Sequence, residues 1–260
     1  MMVGAAIVRV PPPGWAPANY TPPAQPKPLV TNQNVFVYDA LKTPQFWLIW
    51  WILCLNVTAG IGVLGQASAM SQEMFRGRIT AVAASGFVGL FSLFNMMGRI
   101  FWSSTSDYIG RKNTYFIFFA LGAVLYALVP YTGAIGSIGL FVFCYAVIFS
   151  MYGGGFATVP AYLRDMFGTR YVGAIHGLLL TAWSMAGIFG PVLVNYIREY
   201  NVTHGVAAAQ AYNVTMYVMA GLLIIGFVCN LFVRSVHERF HMRAAEADAE
   251  VEAAPVFGSR

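Results

Sequence analysis

Residues Ile79–Pro130 read ITAVAASGFVGLFSLFNMMGRIFWSSTSDYIGRKNTYFIFFALGAVLYALVP. Two long apolar runs, Ile79–Ser104 and Thr114–Pro130, are separated by a brief polar piece that holds Asp107, Gly110, Arg111 and Lys112. A helix that crosses a bilayer needs about 20 mostly apolar residues. A membrane β-strand would instead show about ten residues of alternating polarity, and neither run alternates. The stretch therefore reads as two spanning helices joined by a short loop. Four further runs of the same kind, Phe46–Met70, Ile138–Pro160, Val172–Arg198 and Tyr212–Val233, predict an all-α integral membrane protein with six transmembrane helices.

Composition agrees. Of 260 residues, 58% are hydrophobic and only 10% charged, against about 25% charged in ordinary soluble domains. The formal charge of +5 would suggest nucleic acid in a soluble protein, but here the cations lie between apolar runs, where they set orientation in a lipid bilayer. Arg76, Arg78 and Arg198 fall on one side of the six helices, and the other twelve of the fifteen lysines and arginines fall on the opposite side. By the positive-inside rule the second side is cytoplasmic, which puts both termini in the cytoplasm of a cell-membrane protein. Residues 1–45 read as the end of a preceding helix followed by a proline-rich linker that contains Pro11-Pro12-Pro13-Gly14-Trp15. Residues 46–233 form the membrane domain, and residues 234–260 a solvated tail with Glu246, Asp248, Glu250 and Glu252.

One cation stands apart. Arg99 precedes Asp107 by eight residues, which places it about 12 Å into the membrane on a helix rising 1.5 Å per residue. Ser85, Ser92, Asn95 and Arg99 follow at spacings of seven, three and four and share one helical face. A cation at that depth costs roughly 2.5–3.5 kcal/mol even on the lenient insertion scale and needs a cavity or a partner. No acidic residue lies deep in the six runs, so a substrate anion is the natural counter-ion; a guanidinium grips a carboxylate through two parallel hydrogen bonds. Snorkelling to the headgroups is the competing account.

The piece Gly98–Lys112, with Asp-x-x-Gly-Arg-Lys between two helices, resembles the cytoplasmic loop signature of the major facilitator superfamily. In that superfamily the aspartate meets the positive end of a helix from the other half, so Gly98, Asp107, Gly110, Arg111 and Lys112 are implied to serve conformational change. The segment Tyr152-Gly153-Gly154-Gly155-Phe156 continuing to Tyr162, then Asp165–Gly168, Gly173–Gly177, Asn95-x-x-Gly98-Arg99 and Pro11–Trp15, is similar to the oxalate/formate antiporter branch. Relatives there have twelve helices, and this chain resembles helices seven to twelve. The resemblance implies a secondary transporter of small organic anions working by alternating access. It implies that Arg99 binds the carboxylate, with Tyr152 and Phe156 as aromatic pocket positions. Trp183 falls where the dicarboxylate-exchanging member has a lysine, so one cation beside an aromatic wall favours a monocarboxylate such as pyruvate, lactate or formate. Ser92 and Asn95 would line the cavity.

Other features carry less. His176, Leu180, Trp183 and Gly187 share a stripe at spacings of four, three and four, which makes His176 a proton carrier or substrate contact on one reading and a neutral packing residue on the other. Coupling to a proton or to a counter-anion stays open. No enzyme signature, metal-ligand spacing, phosphate loop or cofactor motif occurs. The rival function is a half-transporter or carboxylate sensor that moves nothing without the N-terminal six-helix half.

Overall fold

The computed structural model describes residues 29–31 and 33–242. The piece before the proline-rich linker, Pro11–Trp15 and the acidic end of the tail lie outside the described residues. Among the described residues eight α-helices follow in order: α1 Val37–Ala40, α2 Pro44–Leu64, α3 Ala67–Met74, α4 Ala81–Ile109, α5 Arg111–Ala134, α6 Ile138–Phe167, α7 Val172–Thr203 and α8 Asn213–Phe232. Among the described residues six helical segments are long and apolar enough to cross a membrane: α2, α4, α5, α6, α7, and Ala208–Phe232, which contains α8. The described residues form no strand beyond an isolated antiparallel bridge between Val35 and His241.

Local chemistry sets the helix starts. Thr43 accepts from the Phe46 backbone N–H at 3.2 Å with Pro44 just inside α2, and Thr80 does the same for Ala83 at the head of α4. Ser137 accepts from Leu140 at the head of α6. The ends differ from the sequence expectation in two ways. The first run does not continue to Met70; it stops at Leu64, and Gly65-Gln66 separates it from the short α3. Pro130 and Pro160 do not end their helices, which run on to Ala134 and Phe167. A proline removes one backbone hydrogen bond, and within a bundle neighbouring groups compensate for that loss.

The six spanning helices form two triplets, α2-α4-α5 and α6-α7-α8, that interleave rather than stand as separate three-helix bundles. The most extensive packing joins α4 to α6 and α2 to α7, then α5 to α8; α2 also packs on α8, and α6 on α5. Exchanging each helix for its counterpart in the other triplet returns the same set of contacts, which is the pattern of an inverted repeat. Glycines permit the tightest crossings. A Cβ on Gly98 would strike the Ser150 backbone, and one on Gly153 would strike the Asn95 backbone. Across α2 and α7, a Cβ on Gly62 would stand 2.9 Å from the Gly190 carbonyl oxygen. Gly190 thus serves close approach, and α7 runs on through Pro191.

Burial is uneven. Within its most apolar window α2 is 72% buried, whereas α4 is 17% and α7 is 28% buried. Gly173 and Gly177, which as a pair suggest close helix contact, have no heavy atom within 4 Å of an added Cβ. They lie on the open side of α7. At the end of the bundle that carries the described termini, Thr31 N–H donates to the Asp165 carbonyl at 2.8 Å, Val35 N–H to the Phe167 carbonyl at 3.0 Å, and Met242 N–H to the Asn34 carbonyl at 2.9 Å. Residues 233–242 are therefore strapped onto the bundle instead of trailing into solvent.

Candidate functional site

Arg99 lies on the continuous helix α4, eight residues inside Asp107, as the spacing predicts. It is exposed, and among the described residues it has no hydrogen bond or ion pair. Its guanidinium carbon stands 5.5 Å from the centroid of the Phe156 ring on α6. Phe156 in turn lies 5.4 Å from Trp183 on α7, the ring planes tilted by 55°. The Tyr152 hydroxyl, one turn before Phe156, has both Trp183 and Arg99 as electrostatic neighbours. Three helices thus bring together four of the predicted residues: Arg99, Tyr152, Phe156 and Trp183. A cation resting on an aromatic face gains about 0.5–1 kcal/mol at an exposed site. That fixes its direction without neutralising it, and leaves the forked N–H groups for an anion.

The remaining pocket candidates are less engaged. Ser92 is exposed on α4 and donates its hydroxyl proton to the Val88 carbonyl at 2.9 Å. Asn95 is partly buried, and its backbone abuts Gly153 at the α4–α6 crossing. His176 lies seven residues before Trp183 on α7, about 10 Å along the axis. No hydrogen bond, ring contact or ion pair joins His176 to the Arg99 cluster among the described residues.

Between α4 and α5 the polar loop contracts to one residue, Gly110, whose φ of 89° lies in the region that favours glycine. Arg111 pairs with Asp107 and reaches Asp165 on α6 at 3.5 Å. Lys112 donates to the carbonyls of Leu231 at 3.0 Å and Val233 at 2.8 Å, which caps the carbonyl end of α8 with a cation. Asp107, Gly110, Arg111 and Lys112 form one junction at this end. Gly98 does not belong to it: the residue is buried within α4, twelve positions earlier, against α6.

Three features escaped the sequence reading. Asp165 keeps a side chain only 15% exposed beside Arg111. At the opposite end Glu73 of α3 holds Arg198 of α7 through both carboxylate oxygens. Their partner could not be guessed from residues 125 positions apart. Asn56, in the middle of α2, is 7% exposed, and its amide nitrogen has no hydrogen-bond partner among the described residues. A lone asparagine within an apolar run was the available signal, since polar groups at membrane depth are costly and functional by default.

The chain is 35% identical over 162 residues to the oxalate:formate antiporter of Oxalobacter formigenes, covering 62% of this chain and 38% of that protein. It is 30% identical over 122 residues to apicoplast pyruvate carrier 2 of Toxoplasma gondii, covering 46% of this chain and 18% of the other. A third relative, the uncharacterized transporter YhjX of Escherichia coli strain K12, is 21% identical over 61% of this chain and 39% of its own length. The chain thus spans about two fifths or less of the curated relatives it matches. The sequence profile of the Major Facilitator Superfamily matches residues 1–191. With six membrane-crossing helices in interleaved triplets and that match over most of its length, the chain belongs to the Major Facilitator Superfamily, whose members are transporters and not enzymes.

Proposed function

We propose that this chain contributes the anion-binding wall of a secondary active transporter for small organic anions, a monocarboxylate such as pyruvate, lactate or formate. The observation that carries the reading is Arg99: a guanidinium within a spanning helix, aimed by Phe156, with no protein anion to pair with among the described residues. Arg99 takes both carboxylate oxygens. Tyr152, Phe156 and Trp183 pack the organic part, while Ser92 and Asn95 supply polar lining. A single cation matches a single negative charge, and the aromatic wall suits a short carbon skeleton. Two relatives, an oxalate:formate antiporter and a pyruvate carrier, support small organic anions as the substrate class. Movement follows alternating access, with a proton or a counter-anion as the coupled species. The Asp107–Lys112 junction takes part in that rearrangement. The bilayer is the cell (inner) membrane, and both termini face the cytoplasm, because the described ends share a side with most of the cations. Residues 1–45 and 234–260 flank the six-helix domain 46–233.

A second reading is favoured by the sparse burial of α4 and α7. These six helices supply one wall, and transport requires a second six-helix half to close the other side. Uptake of radiolabelled pyruvate, lactate, formate and oxalate into proteoliposomes, with and without a supplied N-terminal half, tests both. Arg99→Lys keeps the charge and loses the planar fork, so it impairs uptake; undiminished uptake of every acid by Arg99→Lys would refute the assignment of Arg99.

A further inference from the structure

Three pieces of chain meet at the end of the bundle that carries the described termini: the turn between α6 and α7, a middle piece made of Thr31 and residues 33–36, and residues 233–242 after α8. The last carbonyls of a helix have no partner within it and are satisfied from outside. For α6 the middle piece supplies that partner, since Thr31 N–H donates to the Asp165 carbonyl at 2.8 Å and Val35 N–H to the Phe167 carbonyl at 3.0 Å. At the head of α7 the N-cap Tyr171 makes no side-chain cap, and just ahead of it the Arg170 N–H donates to the Asn34 side-chain oxygen at 3.0 Å. Gly168 turns the chain at a φ of 83°. A Cβ there would strike the Gln33 carbonyl oxygen and the Asn34 side chain, so the middle piece rests directly on the turn.

The tail closes over the other side. Met242 N–H donates to the Asn34 carbonyl at 2.9 Å, and Val35 and His241 form the antiparallel bridge. Two buried side chains, Val233 and Val236, hold the tail against the bundle, and the Gln45 amide donates to the Ser235 carbonyl at 3.0 Å. Asn34 bonds both neighbours at once, with its side-chain oxygen to the turn and its main-chain oxygen to the tail. Val35 beside it is fully buried. Lifting the tail bares the Asn34 carbonyl and the Val35 side chain, and departure of the middle piece then strips the α6 carbonyls of their partners.

We infer that these three pieces form a clasp, pinned by Asn34, which opens as one unit, so that displacing the tail frees the α6–α7 turn. Stretches of chain that share their bonds in this way open together, below the free energy of global unfolding. The clasp acts on the two helices that carry Phe156 and Trp183, which lie eleven positions inward from Phe167 and Val172. It assumes nothing about what Arg99 binds.

Amide hydrogen exchange, read residue by residue by NMR on the purified full chain in micelles, tests the clasp, with the amides of Thr31, Val35, Arg170 and Met242 as reporters. Asn34→Ala removes the acceptor of Arg170 alone. It is expected to lower protection roughly fivefold, the value of one hydrogen bond, at all four reporters. Met242→Pro removes the N–H of the tail, and His241, at φ −74° and ψ 142°, already has the extended conformation that a following proline requires. Protection of Thr31, Val35 and Arg170 then falls by a similar factor, although none of these three N–H groups donates to the tail. Amides of α4 and α5 stay within about twofold of wild type in both variants. Asn34→Asp keeps an acceptor oxygen and holds all four reporters near wild type. If Asn34→Ala affects Arg170 alone, or Met242→Pro affects none of its three reporters, the contacts are independent and the inference is overturned. It is overturned equally if α4 and α5 lose as much protection as the reporters, or if Asn34→Asp is as damaging as Asn34→Ala. Should one of Asn34→Ala and Met242→Pro fail to fold, the other decides.

Discussion

Gly98→Ala tests the α4–α6 crossing on which the site depends. A Cβ at 98 would meet the carbonyl oxygen, carbonyl carbon and Cα of Ser150, all backbone atoms that no rotamer change can move aside. The helices must separate or slide. Gly86 lies on the same helix with no heavy atom within 4 Å of an added Cβ, so Gly86→Ala supplies the control. Each substitution gains up to about 1 kcal/mol from helix propensity, and that gain cancels when the two variants are compared. What remains is the clash, roughly 1–3 kcal/mol for an overpacked contact. At about 2–4 °C per kcal/mol for a domain of this size, Gly98→Ala should melt several degrees below Gly86→Ala in the same detergent. Because Arg99 and Phe156 straddle this crossing, the variant is also expected to weaken the carboxylate binding proposed for Arg99. Gly153→Ala opens the same contact from the other helix, against Asn95, so the double variant should cost less than the sum of its parts. Equal melting of Gly98→Ala and Gly86→Ala would show that the two helices do not approach as closely as described.

Gly110→Ala forces an ordinary residue to a φ of 89° with no steric neighbour to blame. With ψ at 151° the position lies in a region open in practice to glycine alone, so the expected cost is about 1–3 kcal/mol, and Gly110→Asn, which is tolerated only in the left-handed helical region, should recover none of it; identical melting of wild type and both variants counts against a one-residue junction. Lys112→Met removes the two hydrogen bonds to the Leu231 and Val233 carbonyls. Amide hydrogen exchange should accelerate across residues 231–236 and stay unchanged in α2, and uniform protection would show that α8 ends without help from Lys112.

The six spanning helices were legible because apolar length is a local property of the chain, and so was the placing of Arg99 eight residues inside Asp107 on one continuous helix. Helix ends were less so. Pro130 and Pro160 look like stops in a sequence, yet their helices continue because packing within the bundle compensates for a missing backbone bond. Gly98 appeared to belong to the Asp107 motif through proximity in sequence, whereas its role is set by Ser150, fifty-two positions away. The same limit hid the Arg111–Asp165 and Arg198–Glu73 pairs, each of which joins different helices. Asn56 went unread in the sequence, because only the neighbouring Gly155 and Tyr152 show what its side chain faces.

The inverted repeat links the site to the open faces of the bundle. Helices α4 and α7 are the middle members of their triplets, and each crosses the leading helix of the other triplet at a glycine, Gly98 and Gly153 for one pair and Gly62 and Gly190 for the other. Equivalent packing leaves both middle helices equivalently uncovered. They are not uncovered on unrelated sides, because Phe156 of α6 touches Arg99 of α4 and Trp183 of α7 at once. The open faces therefore flank the Arg99 cluster. A six-helix half that covered both would also roof Arg99, exclude water from it, and strengthen its attraction for a carboxylate, since charge interactions grow as the surrounding dielectric falls. One half alone should then bind its anion more weakly than the joined halves, and the difference should shrink in Arg99→Gln. A partner half that raised affinity equally with and without the guanidinium would separate the closing of the faces from the chemistry of the site.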